Sequence, residues 1–364
     1  MTRASTLAVL TVLCGAAAAR AQSVPQATEQ YGFQFNGDAL WRDEWTRDVF
    51  QGPNQERWRL QVRPRVEVGL KWLLLGVGAE FNHSEDENDE APGGGTPALV
   101  RDNYRSRDTR LDLAFASLKP AEWLRIEGGR FPMPIAFTEM IWDRDIRPQG
   151  AAVHLGGGGS RFGVSALAAR GSHAYEDDET EMLILSASLG SPPEARTKLE
   201  LVASYLLFRE TAALEPAIRR QNTRAAAGGP LALDYHVLDG VLRLRNEGVM
   251  PWQIAADVCF NTAADADRVG VWLALVLGST RTARSRFEYT YAKVDKDATL
   301  AAYATDDFFW GTGWEGHRGD VGVRLYEGVA LHAVGQLQRF KDSARAEERD
   351  HWLKRYRVEL RVTY

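Results

Sequence analysis

The sequence predicts an all-β chain, a transmembrane antiparallel β-barrel of about 16 strands with short turns at one end and long loops at the other. Three observations carry this. Apolar and polar residues alternate through most of the 364 residues, the period of a strand with two unlike faces. The polar rows are rich in arginine, which the dry interior of a soluble sandwich or barrel could not hold unpaired. The connections are short and long by turns, as in a barrel that crosses a membrane.

The N-terminus, MTRASTLAVLTVLCGAAAARAQS, has Arg3, an apolar run from Leu7 to Ala19, and Ala19-Arg20-Ala21. That is the pattern of a secretory signal peptide over residues 1–21, cut after Ala21. Residues 22–30 read as a short N-terminal segment, and 31–364 as one barrel domain. Cleavage removes Arg3 and Arg20 and no acid, leaving 42 basic against 49 acidic residues, a net charge of −7. Cys14 leaves with the signal, so Cys259 stands alone and predicts neither an internal disulfide nor a cysteine metal site. No later run of 18 apolar residues predicts a membrane helix.

The first clear strand is RWRLQVRPRVEVGLK, Arg57 to Lys71. Trp58, Leu60, Val62, Val66, Val68 and Leu70 form one face, while Arg57, Arg59, Arg63, Arg65, Glu67 and Lys71 charge the other. A bilayer explains the pairing: the apolar face meets lipid and the charged face looks into water. Pro64 removes a ladder donor and predicts a bulge or weak pairing. Similar rows follow at Leu199 to Leu207, Ile254 to Phe260, Val269 to Leu277 and Phe287 to Tyr291. The last runs from Trp352 to Tyr364, with Arg355, Arg357 and Arg361 on its polar face. The expected strands begin near Tyr31, Arg57, Trp72, Asp108, Trp123, Ala151, Arg161, Met182, Lys198, Asp234, Gln253, Arg268, Arg284, Arg318, Val329 and Trp352. The alternation is least regular over Asp234 to Asn246.

GLKW, KPAEW and GSPPEA read as short turns. Long loops are expected over His83 to Ser106, Ser172 to Glu181 and Arg209 to Gly229. The acidic run Glu85 to Glu90 lies in the first and reads as a solvated external loop. WLLLGVGAEF after Trp72 and WLRIEGGRF after Trp123 repeat one hairpin grammar: turn, interfacial tryptophan, outgoing strand.

The densest motif is GGRFPMPIAFTEMIWDRDIRPQGAAVHL, Gly128 to Leu155. Gly-Arg-Phe runs into a proline-rich segment, then Trp142-Asp143-Arg144-Asp145, then Pro148-Gln149-Gly150. With VMPWQIAADVCFNT and the stretch Phe287 to His317, it resembles a porin family of Gram-negative outer membranes. The turn Pro132-Met133-Pro134-Ile135 departs in detail from that family's pattern. The terminal VELRVTY is similar to the C-terminal aromatic strand that outer-membrane insertion machinery recognises. The resemblance implies about 16 strands, periplasmic turns, external loops, and passive diffusion of small hydrophilic solutes or ions. It also implies contact with outer-membrane lipid and lipopolysaccharide, with a homotrimer as one arrangement.

Arg57, Arg59, Arg63 and Arg65 share one strand face, and Arg355, Arg357 and Arg361 another. If the terminal strands close the barrel, these rows form a pore-lining positive wall with a weak preference for anions. The plainer reading is that each arginine pairs with an acid such as Asp38, Glu67 or Glu359 and stiffens the wall; both can hold at once. A loop over residues 131–150 folded into the lumen would bring Arg130, Asp143, Arg144, Asp145 and Arg147 to a constriction. Trp72, Trp123, Trp252, Trp352 and Tyr364 fit an interfacial aromatic girdle. The seven histidines are scattered, with no G-x-S-x-G, H-E-x-x-H or P-loop, so neither an enzyme nor a cofactor, metal or nucleic-acid site is expected. The alternative to a porin is a non-conducting structural or adhesin-type barrel.

Overall fold

The computed structural model describes residues 32–48, 54–86, 109–156, 161–172, 180–192, 194–211, 214, 222–226, 231–305, 311–341 and 349–364. The expected signal peptide and short N-terminal segment lie outside these residues, as do Glu87 to Glu90 of the acidic run and most of the three expected long loops.

Sixteen strands form one closed antiparallel barrel. They are β1 (Gly32–Arg47), β2 (Gln55–Gly69), β3 (Leu73–Asp86), β4 (Thr109–Ala121), β5 (Leu124–Arg130), β6 (Arg147–Leu155), β7 (Phe162–Ser172) and β8 (Glu181–Gly190). The circuit continues with β9 (Thr197–Arg209), β10 (Tyr235–Asn246), β11 (Trp252–Asn261), β12 (Val269–Gly278), β13 (Ser285–Val294), β14 (Trp314–Tyr326), β15 (Val329–Phe340) and β16 (Leu353–Thr363). Each strand pairs with its sequence neighbours, and β1 closes on β16 from Asp38↔Thr363 to Arg47↔Lys354. Closure leaves no open edge, the condition for burying backbone polar groups in hydrocarbon. The terminal residue adds to the seam, since the Tyr364 amide donates to the Gly37 carbonyl and the Gly37 amide to the Tyr364 carbonyl.

Most strands start within two residues of expectation. β6 and β14 start four residues early, at Arg147 and Trp314 rather than Ala151 and Arg318. Their first turns of chain, Arg147-Pro148-Gln149-Gly150 and Trp314-Glu315-Gly316-His317, carry proline or glycine and do not alternate cleanly. Pairing supplied by β7 and β13 makes them strand all the same. Pro64 acts as expected of a missing donor. On the β1 side the register runs unbroken through Gly37↔Pro64. On the β3 side the pairs step from Val62↔Phe81 to Arg65↔Gly78 without changing register, so the ladder is interrupted but not shifted. The bulge sits one strand further on, between β3 and β4 at Gly78/Ala79.

The outer face is apolar. Leu75, Val77, Leu185, Ile254, Leu273, Val321 and Leu331 all point away from the barrel and are exposed. A belt of this kind needs a lipid solvent. The inner face is divided. On β7–β12 it is largely apolar, interrupted by the buried Ser186, Ser204, Asp239 and Asp257: Leu167, Ile184, Leu206, Phe208, Val237 and Trp272 pack with Phe131, Ile135, Ile141 and Trp142 from the β5–β6 connection. The connection after β13 joins this core through Ala298, Leu300 and Tyr303. Tyr303 stacks between Trp142, at 5.3 Å, and Phe208, at 5.5 Å. Gly171 makes room for it, because a Cβ there would lie 2.0 Å from the Tyr303 ring. The opposite arc of the barrel, from β14 through β16 and β1 to β4, keeps a polar inner face.

Candidate functional site

The seam strands β16, β1 and β2 bring the two predicted arginine rows to either side of β1. Their inward positions carry Arg42, Arg57, Arg59, Arg63, Arg65, Arg355, Arg357 and Arg361 against Asp38, Glu44, Glu67 and Glu359. Strand alternation alone sorts these side chains inward, since successive residues point to opposite faces. The inward arginines outnumber the inward acids, and many of them are ion-paired. Glu44 is its centre, 2.7 Å from the Arg57 guanidinium, 2.6 Å from Arg357 and 3.4 Å from Arg355. Arg42 meets Glu359 at 2.7 Å, and Arg361 meets it at 2.6 Å. Arg65 reaches Glu67 only at 3.8 Å. Next along, Glu80 on β3 accepts from Arg110 at 2.8 Å and from Gln61 at 2.9 Å.

The connection Phe131–Ile146 enters the barrel between this wall and the apolar arc. Its apolar side is sealed to β7–β12, with the Trp142 indole N–H donating to the Ile146 carbonyl at 3.0 Å. Two wall groups clamp its first half. Arg243 on β10 donates to the carbonyls of Ala136, at 2.8 Å, and Phe137, at 3.0 Å. The Thr138 hydroxyl donates to the buried Asp257 carboxylate on β11. Its polar edge bridges to the wall on both flanks. Asp145 pairs with Arg63 at 2.5 Å, and Glu139 pairs with Arg318 of β14 at 2.8 Å. Arg144 pairs with Glu139 and keeps a side chain 68% exposed.

The residues expected at a constriction thus take different places. Arg144 and Asp145 stand on the inward edge, Asp145 in contact with the wall. The Asp143 carboxylate accepts from the Asp145 amide at 2.8 Å and shapes the connection from within. Arg147, at the start of β6, binds Asp112 of β4 at 2.8 Å. Arg130 ends β5, opposite Ala114 and Gln149. The rows hid Glu44, Glu139 and Arg318. Glu44 was within reach, because Asp38, Arg42 and Glu44 share one face of the alternating Gly32–Arg47. Glu139 and Arg318 meet across 179 positions of sequence, and no local pattern announces that.

The chain matches no protein-family model and no curated protein. Solved structures do match. The high-pH structure of Pseudomonas putida OprB superposes with a TM-score of 0.62 at 11% identity, over 92% of this chain and 94% of that one. Salmonella typhi OmpF in complex with daunomycin gives 0.53 at 12% identity, over 91% and 97%. A mutant of the Rhodopseudomonas blastica porin gives 0.50 at 11% identity, over 91% and 100%. The fold is that of the outer-membrane porins. At this identity the likeness is one of architecture.

Within the porin fold the aromatic positions sort by height. Trp72, Trp123 and Trp252 sit at or beside the short turns before β3, β5 and β11, with Trp72 and Trp123 more than half exposed. Tyr364 lies at the same end, its ring 5.6 Å from Phe35. Trp352 marks the other rim, before β16, under the Arg339 guanidinium at 4.9 Å and beside His317 at 5.9 Å.

Proposed function

We propose that this chain is an outer-membrane channel through which small hydrophilic solutes and ions diffuse passively, with a preference for anions. One observation carries the reading. The inner face of β16, β1 and β2 presents eight arginines against four acids, and none of the three strands turns an apolar row inward. Most of these groups are buried in ion pairs, but the surplus of guanidinium groups needs water or counter-ions close by, and the partly exposed Arg63, Arg65 and Arg361 would raise the local concentration of anions. The porin architecture supports the membrane and the export that the N-terminal pattern predicts. The inward connection supports a narrowed passage, with Arg144 and Asp145 at its edge. The exposed outer belt supports contact with lipid and lipopolysaccharide, and the terminal aromatic strand supports recognition by insertion machinery. A homotrimer remains part of the same reading.

The direct test is swelling of liposomes carrying the refolded protein, with sugars of increasing size. Swelling that falls steeply with solute size is expected of a narrowed diffusion pore. A folded, heat-modifiable protein that gives no swelling with the smallest sugar would move the reading to a closed structural barrel.

A further inference from the structure

A second charged feature lies away from the constriction, at the short-turn mouth of the barrel. A cavity of about 570 Å³ opens there, lined by Arg65 of β2, Arg286 of β13, Arg361 of β16 and Arg281 of the β12–β13 turn. The β12–β13 turn and β1 stand several strands apart around the circuit. They share this cavity, through Thr280, Thr282, Asn36 and Asp38, only because it lies inside the mouth. Its volume is that of a small-molecule site.

The acids around it are largely engaged. Asp320 on β14 already takes Arg286 at 3.3 Å, Arg361 at 3.2 Å and the His332 imidazole at 2.7 Å. Asp38 is held by Arg63 at 2.8 Å. Glu327 is the remaining acid on the lining. Among the described residues Arg65 has one ion pair, the long contact of 3.8 Å to Glu67, and no described carboxylate lies within ion-pair distance of Arg281. Thr280, Thr282, Thr363 and Tyr364 add hydroxyls to the lining, beside Gly328, Val329, Ala330 and His332. The polar part of this concavity is guanidinium and hydroxyl, and guanidinium planes match the paired oxygens of phosphate and carboxylate.

We propose that this mouth is a binding site for small oxyanions of two or more charges, phosphate-bearing or polycarboxylate, which pause there on their way through the channel. The proposal names the solute class of the channel and so rests on the function proposed above. Polyvalency is the point: one charge would be met by any arginine of the wall, whereas only a multiply charged ion engages Arg65 and Arg281 together and also draws on Arg361, which Glu359 and Asp320 hold at 2.6 and 3.2 Å.

The test is calorimetric titration of the refolded protein with inorganic pyrophosphate, and separately with citrate, at low salt. Saturable binding is expected. Arg65→Gln combined with Arg281→Gln should weaken it at least tenfold, while Arg170→Gln, an exposed arginine at the long-loop end of β7 and outside this cavity, should leave it within twofold. Arg281 lies in a turn, so Arg281→Gln alone tests the site in a barrel whose strands are untouched. Binding of pyrophosphate without citrate would select phosphate chemistry, and the reverse would select carboxylate. Absence of saturable binding to either ion would overturn the proposal, as would an equal loss in Arg170→Gln. A protein that conducts salt but binds neither ion would sink this site and spare the channel. One that binds them without conducting would do the opposite.

Discussion

Glu44 shows how much one side chain does in the seam. It is almost fully buried and faces Arg57, Arg355 and Arg357 within ion-pair distance. Removing its charge leaves three guanidinium groups crowded on the two strands that flank β1 at the closure. Taking one partner from a buried ion pair typically costs about 3–5 kcal/mol. Glu44→Gln should therefore lower the temperature at which the barrel loses its compact form on a heat-modifiability gel. If that variant still folds, its channels should prefer anions more strongly than the parent. An unchanged melting temperature would show that Glu44 does not hold the seam. Arg144 is the converse case, paired with Glu139 yet mostly exposed on the inward edge. Arg144→Ala should raise single-channel conductance and weaken anion preference, and no change in either would remove it from the passage.

At the scale of elements, the inward connection is a packed layer rather than a free loop. Trp142 is stacked on Tyr303, and Arg243 and Asp257 clamp residues 136–138 from the wall. Truncating a buried tryptophan usually costs about 3–5 kcal/mol. Trp142→Ala should loosen this layer without opening the strand ladder, giving flickering conductance in a barrel whose far-ultraviolet spectrum is unchanged. Steady conductance would mean that the Arg243 and Thr138 clamps suffice. Sequence alone reached the strands because alternation is a local signal, strong wherever one face meets lipid. It carried the positions of β1, β2 and β16 to within two residues and set both arginine rows inward. It reached the segment after Arg130 through a motif, yet it could not tell Asp145, which touches Arg63, from Asp143, which folds back on the connection. The second inward layer, Ala298 to Thr305, went unforeseen. Its alanines and threonines have no period, and its burial depends on Phe208, Trp142 and Gly171, which lie far away in sequence.

For the whole molecule, net charge and pore charge point in opposite directions. The sequence carries a formal charge of −5, whereas the seam wall carries a surplus of arginine. Selectivity follows the charges a passing ion meets within a screening length, not the total. The screening length falls from about 10 Å at 0.1 M salt to about 3 Å at 1 M, so anion preference should be clear in dilute salt and fade as salt rises. Selectivity independent of salt would point instead to a tight coordination site. The measurement that bears most directly on the account is the reversal potential of single channels in a planar bilayer, under a dilute potassium chloride gradient. A water-filled, arginine-walled porin should give stable conductance steps that reverse on chloride's side of zero. Steps that reverse on potassium's side, or a folded barrel that never conducts, would contradict it.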